Sequence, residues 1–305
     1  MPSFLPSIFS KHTLGVLFAL VSAIGFSTKA IFVKLAYVDQ IDATTLLALR
    51  MIMSVPFFVV AIFWQKQGAA ALHGRDWLAV LLLGLLGYYL ASMLDFLGLQ
   101  YISAGLERLI LFLYPTMVVI ISALVFKKPI TRSIWLALVL SYAGIALVFV
   151  HDFSLSGDGL WLGSALVFAS ALAYAVYLIG AGHIIERLGS MRFTAYVMTV
   201  ACIACILQFL VLNPWSDLQQ PARVYGLTVD MALFSTVMPA FALAAAMRRI
   251  GSMQTSMIGA LGPVATIYLA YIFLGEALSL VQFLGSLLVL TGVLMISLRK
   301  ARPAA

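Results

Sequence analysis

The chain predicts an all-α integral membrane protein, with ten transmembrane helices forming two inverted repeats of five. Three observations predict it. Apolar runs of about 20 residues, the length a helix needs to cross the hydrocarbon core, recur with short polar breaks. Basic residues gather in alternate breaks. The hydrophobic pattern of the first half returns in the second at one offset, 148 residues.

The spans fall near 13–36, 43–64, 77–98, 103–126, 132–150, 160–180, 193–212, 228–247, 253–274 and 279–298. The first follows Lys11 and begins like a signal peptide. It runs past about 20 residues without a small-x-small cleavage site, so it reads as an uncleaved span. Helices are favoured over a barrel because the runs are continuously apolar, whereas barrel strands alternate over about 10 residues. The fourth span carries Glu107 and Arg108 one turn inside its start and Pro115 at its middle, and it closes on Lys127, Lys128 and Arg132. The seventh holds Cys202 and Cys205 inside V-M-T-V-A-C-I-A-C-I-L, which reads as two buried small hydrophobes rather than a redox pair. Pro239 lies within the eighth. The ninth repeats the fourth with its proline, Pro263, in the matching place, but Gly275 and Glu276 replace the basic closure.

Composition agrees. The 305 residues are 64% hydrophobic and 10% charged, against about 25% charged in soluble domains. A formal charge of +7 does not indicate nucleic acid, because the basic residues punctuate apolar runs instead of lining one polar face. Lys11, Lys66, Arg75, Lys127, Lys128, Arg132, Arg187, Arg192, Arg248, Arg249, Arg299, Lys300 and Arg302 share one side, 13 in all, against Arg223 alone on the other. That asymmetry places both termini in the cytoplasm. Asp39, Asp42, Asp152, Asp158, Asp217 and Glu276 face outward. The repeats divide at 1–150 and 151–305. Five helices is an odd number, so the second repeat starts on the opposite side, a transporter architecture with its site between the repeats.

Within the spans lie Lys29, Lys34, Arg50, Asp95, Glu107 and Arg108. Each costs at least about 2.5–3.5 kcal/mol unpaired at the bilayer centre. Lys34 is near the outer rim and snorkels. The other five form one layer in the outer half of the membrane, Lys29 and Arg50 roughly 10 Å below the helix ends and Glu107 and Arg108 roughly 6–8 Å. At matching positions the second repeat places Tyr177, Met198, Leu243, Thr255 and Ser256. Two readings stand. The charges are structural pairs, such as Asp95 with Lys29 and Glu107 with Arg50, or they form a solute site. Two acids cannot neutralise the three deep bases, so one positive charge is left for an anionic or zwitterionic solute. Arg50 or Arg108 would hold it through the planar guanidinium fork, with Lys29 assisting. Asp95 or Glu107, trading its cation for a proton, would couple transport to a proton gradient. Tyr88, Tyr89, Tyr114, Tyr174 and Tyr177 lie within spans; with Phe26 they line the cavity or pack the core. Pro115, Pro239 and Pro263 each free a backbone carbonyl, giving either a tolerated kink or a gating bend.

The stretches F-S-T-K-A-I-F-V-K-L and G-L-E-R-L-I-L-F-L-Y-P-T, the 5+5 arrangement and the paired prolines resemble the EamA-type family of the drug/metabolite transporter superfamily. The resemblance covers essentially the whole chain. It implies a secondary transporter or exporter of small metabolites in the plasma (inner) membrane, without selecting the substrate. The reading is therefore an alternating-access carrier of a small polar, carboxylate-bearing metabolite such as an amino acid or organic acid. Lipophilic-cation efflux is the alternative, and a receptor or intramembrane enzyme a remote one. His12, His73, His151 and His183 sit in or beside loops and suggest no metal; no Walker-type loop, cofactor motif or catalytic constellation is present, so no enzyme is expected. The partners expected are the solute and the lipid bilayer, with no nucleic acid. Small-residue spacing from Gly285 to Gly292 suits packing within one chain or a homodimer.

Overall fold

A computed structural model describes residues 11–63, 73–125, 127, 131–153, 159–259, 261–277 and 279–299; within helices, the side chains of 133, 152–153, 182–183, 186, 251–254, 256–257 and 296–299 are outside the description. Among the described residues every regular element is helical. In chain order these are α1 (Lys11–Tyr37), α2 (Ala43–Phe63), α3 (Gly74–Gly84), a π segment (Leu85–Leu90), α4 (Ala91–Leu99), α5 (Ala104–Leu111), α6 (Tyr114–Val125) and α7 (Arg132–Phe153). There follow α8 (Leu160–Leu188), α9 (Ser190–Leu212), a 3₁₀ turn (Trp215–Leu218), α10 (Ala222–Ala232), a second π segment (Leu233–Val237), α11 (Met238–Gly259), α12 (Gly262–Leu274) and α13 (Leu280–Arg299).

Among the described residues eight stretches are long and apolar enough to cross a membrane: Lys11–Tyr37, Ala43–Phe63, Gly74–Leu99, Ala104–Val125, Ile134–His151, Leu160–Ala181, Ser190–Leu212 and Ala222–Ile250. Gly262–Leu274 and Leu280–Met295 are shorter apolar helices. Large apolar side chains point outward along them, Val211, Trp161 and Phe283 among them. Such a surface suits lipid, where no water competes for contact and the helix satisfies its own backbone.

Element boundaries repeat at the offset of the sequence. Moved by 148 residues, α3 becomes α10 at both ends, the first π segment starts where the second does, and α12 and α13 begin where expected from the starts of α6 at Tyr114 and α7 at Arg132. Packing repeats as well. Helix α1 packs on α11 and α12, while α8, its counterpart, packs on α4 and α6; α2 pairs with α9 and α7 with α13. The contacts correspond down to the residue. A β-carbon on Gly15 would collide with Ile250, and one on Gly163 would come within 2.7 Å of Ile102, the same pair one repeat away.

Small residues make these approaches. Gly144 and Gly285 lie against each other's backbone carbonyls across α7 and α13, where an added β-carbon would stand 2.6 and 2.7 Å from them. Gly292 faces Ala137 and Ser141 of α7. The Gly285–Gly292 spacing therefore serves packing within the chain. Helices approach closely where side chains are absent, and dispersion contacts accumulate there.

Three expectations need correcting. The break near 248–252 is absent: α11 runs through Arg248 and Arg249, both exposed, to Gly259. Arginine is a good helix former, so the pair does not stop a helix. The expected fourth and ninth spans are each interrupted, at Phe112–Leu113 and just before Gly262. Pro115 and Pro263 accordingly stand in the first turn of a new helix, where the missing N–H costs nothing, instead of kinking a continuous one. Pro239, by contrast, lies inside the helical run from Ala222 to Gly259, directly after the second π segment, against Gly25 of α1. Of the other expected landmarks, Lys66, Lys128, Asp158, Lys300 and Arg302 lie outside the described residues.

Candidate functional site

Helix α1 brings Lys29 to the centre of the polar layer. Its ammonium donates to Asp95 Oδ2 from α4 and, at 3.0 Å, to Glu107 Oε1 from α5. Both carboxylates are sealed, Asp95 at 2% exposure and Glu107 at 0%. Glu107 therefore pairs with Lys29 and not with Arg50. One lysine serves two acids, and among the described residues the second oxygens, Asp95 Oδ1 and Glu107 Oε2, are buried with no donor.

The arginines are left over. Arg50 on α2 is 5% exposed. Its Nε donates to Thr236 Oγ1 at 2.8 Å, its guanidinium lies 5.3 Å from the Phe96 ring centre, and its Nη1 is buried without a partner. Ser54, one turn along, closes onto the Arg50 carbonyl at 2.8 Å. Arg108, half-buried on α5, crosses to the other half of the chain: a β-carbon at Gly262 would stand 2.8 Å from its Nη2. Its Nε too is buried without a partner. Among the described residues neither arginine has a carboxylate within ion-pair distance.

Aromatic side chains wall the Arg108 side. Tyr114 meets Tyr174 edge-on at 5.2 Å, Tyr174 stacks on Tyr177 at 5.4 Å, and Tyr88 meets Tyr174 at 6.2 Å and Tyr177 at 5.2 Å. The hydroxyl of Tyr88 lies with those of Tyr174 and Tyr177, and the Arg108 charge acts on Tyr114 and Tyr174. Edge-to-face pairs are worth about 0.5–1.5 kcal/mol each beyond burial, so the wall is a preformed surface with polar tips. Phe26 lies half-buried on α1, one turn before Lys29. Tyr89 packs against the largest hydrophobic cluster instead of joining this wall.

The two interruptions are built around this layer. Phe112 N–H returns to Arg108 C=O at 3.0 Å and Leu113 N–H to Ile110 C=O at 3.0 Å, ending α5 just past the charged pair. On the other side, Ser27 Oγ shares its one proton between Ala23 C=O at 2.6 Å and Gly262 C=O at 3.0 Å, and Thr266 Oγ1 donates to Ser27 C=O at 3.2 Å, holding the start of α12 against α1. Backbone freed by a broken helix is tolerated at membrane depth only where such partners exist.

The family model described as the EamA-like transporter family matches residues 13–150 and again 161–298. The chain belongs to the EamA-like transporter family. It is 28% identical over 278 residues to the uncharacterized transporter YcbK of Bacillus subtilis (strain 168), covering 89% of this chain and 88% of that one. It is 24% identical over 327 residues to the uncharacterized transporter sll1319 of Synechocystis sp., covering 96% of each. A protein of known crystal structure at 15% identity superimposes with a TM-score of 0.65 over 94% of this chain and 99% of its own, which shows the fold. This EamA-like transporter is thus a multi-pass membrane protein.

Several residues of the transporter's polar layer escaped the sequence reading. Thr236 and Gly262 contact the two arginines from the other half, and neither is charged or patterned. Glu276, read only as an outer-loop acid, reaches back to accept from Ala104 N–H at 2.9 Å and Gly105 N–H at 3.4 Å, capping the helix that carries Glu107 and Arg108. Asp230, half-buried, was passed over; α10 begins at Ala222, which puts it two turns inside the Ala222–Ile250 stretch. The π segments at Tyr88 and Thr236 have no sequence signal, although such segments recur at functional sites. A groove of about 450 Å³ between α12 and α13, lined by Val264, Ile267, Tyr268, Ser279, Leu280, Phe283 and Ser286, is nearly all apolar and shares none of these residues.

Proposed function

We propose that this transporter moves a small, carboxylate-bearing metabolite such as an amino acid or organic acid across the inner membrane by alternating access, with export as its direction. One observation carries the reading: Lys29 takes both Asp95 and Glu107, and among the described residues Arg50 and Arg108 are left at membrane depth, each with a guanidinium nitrogen that has no partner and with no carboxylate. A buried charge needs a counter-charge. The planar fork of arginine matches a carboxylate, and the tyrosine wall offers the solute body an aromatic face with hydroxyl tips. Asp95 and Glu107, buried side by side on a shared Lys29, would exchange that cation for a proton and so couple the cycle to a gradient.

In this reading the chain crosses ten times, as inverted repeats 1–150 and 151–305 with both termini in the cytoplasm. Contacts between element ends support the alternation. Arg187 with Asp76 joins ends assigned to the cytoplasm. Arg223 with Asp39 and Glu276 with Ala104 join ends assigned outside.

A thermal-shift screen of the purified protein against amino acids, organic acids, phosphorylated metabolites and lipophilic cations tests the substrate class. A ligand at 100 times its dissociation constant stabilises the fold by about 2.7 kcal/mol. The expected result is a shift with a carboxylate solute that disappears in Arg108→Gln and in Arg50→Gln. Shifts with lipophilic cations alone would replace this reading by drug efflux.

A further inference from the structure

We infer that Thr236 is a positioning residue for Arg50, one that turns the guanidinium so that its terminal nitrogens, and not its Nε edge, are left for the solute carboxylate. The inference rests on the proposed carboxylate site. A threonine hydroxyl has one proton and two lone pairs. At Thr236 the proton is engaged, because Oγ1 donates to the Met231 carbonyl at 3.0 Å. The oxygen therefore meets Arg50 Nε, at 2.8 Å, as an acceptor. Its direction is set by the backbone. Met231 is five residues back, a reach supplied by the wider turn of the π segment Leu233–Val237. Ser235 Oγ donates to the same carbonyl at 2.7 Å, and Pro239 adjoins the segment without an N–H to offer.

The guanidinium is held on two sides, by Thr236 at Nε and by the Phe96 ring beneath it. What remains is the outer fork, and Nη1 on that fork is buried without a partner. Structural satisfaction of a buried arginine would leave no such donor. A carboxylate has two common ways to grip arginine, across Nε and one Nη or across both Nη atoms. With Nε taken, only the second is open, so Thr236 decides the angle at which the solute enters. The first repeat offers a parallel. Its π segment, Leu85–Leu90, holds Tyr88, the residue 148 before Thr236, and directs it into the tyrosine wall. Both π segments thus bring a hydroxyl-bearing side chain from matching positions into the polar layer.

The test uses the full-length protein in detergent, with sodium acetate as the probe and acetamide as its uncharged control, at constant ionic strength. Thermal stabilisation is followed against probe concentration for the natural protein and for Thr236→Val, Thr236→Ser, Arg50→Gln, Arg50→Lys and Arg50→Lys with Thr236→Val. Loss of a hydrogen bond to a buried charged group predicts a half-saturating acetate concentration raised about tenfold or more in Thr236→Val, and restored to within about twofold in Thr236→Ser. In the Arg50→Lys background the same valine change has no further effect, because lysine has no Nε edge to hold. Should the valine variant fail to fold, Thr236→Cys, a weak acceptor of similar size, replaces it. Equal acetate affinity in Thr236→Val and the natural protein overturns the positioning role while leaving the carboxylate site standing. So does an undiminished valine effect in the lysine background. If acetate stabilises no better than acetamide, or Arg50→Gln responds like the natural protein, the carboxylate site itself fails and takes the inference with it.

Discussion

Lys29 holds three helices together through one ammonium, and its removal should be felt as stability before it is felt as transport. Lys29→Met would leave Asp95 and Glu107 buried side by side without a cation. Breaking a buried pair by removing one partner costs about 3–5 kcal/mol, so the unfolding temperature in detergent should fall sharply. Lys29→Met combined with Asp95→Asn and Glu107→Gln should recover most of the loss. If Lys29→Met unfolds where the natural protein does, the triad is not a structural element. Arg108→Gln is the contrasting case. With no acid attached to it, the arginine can be neutralised without stranding a charge, so the fold should survive while carboxylate binding is lost. The charged residues of the first half were legible in the sequence, because charge inside a 20-residue apolar run is conspicuous; Thr236, which meets Arg50, and Asp230 were not. Who pairs with whom was not. Asp95 and Glu107 lie on different helices, and only the crossing of α1 with α4 and α5 decides that both converge on Lys29.

At the scale of elements, the register of the two halves was legible from one offset, and it extends to the ends of individual helices. The positions of the breaks were not legible. A proline marks both a kink and a first turn, and only the carbonyl partners distinguish them: Leu113 N–H returns to Ile110, and Gly262 C=O is met by Ser27 from another helix. Composition also failed at Arg248 and Arg249, where charge suggested a loop and the helix continues. The α7–α13 contact gives a test at this scale. Gly285 faces the backbone of Gly144 with no room for a side chain, and overpacking usually costs about 1–3 kcal/mol. Gly285→Leu should lower the unfolding temperature, with Gly226→Leu, at a position with open space around it, as the control. Equal stability of the two variants would mean that α7 and α13 separate freely.

For the whole molecule, the proposed topology assigns each basic or acidic end to one aqueous phase. Cys202 and Cys205 are buried, Cys202 against the Met51 sulfur at 3.5 Å, so the natural chain contributes little background to thiol labelling. A membrane-impermeant maleimide applied to intact cells should label Ser216→Cys and spare Arg132→Cys, both exposed positions; inverted vesicles should reverse the pattern. Labelling of both from one side would defeat the ten-span topology.

The polar layer has a consequence for the carrier at rest. Two identical halves in opposite orientation would give inward-open and outward-open forms related by symmetry, and therefore equal in free energy. Here Lys29, Arg50, Asp95, Glu107 and Arg108 all come from the first half, and the positions 148 residues later hold only neutral side chains. The degeneracy is broken by where the charge sits. In the proposed alternating-access cycle, an empty carrier has a preferred resting side with no gradient across the membrane, and a solute that neutralises the arginines shifts that preference as it binds.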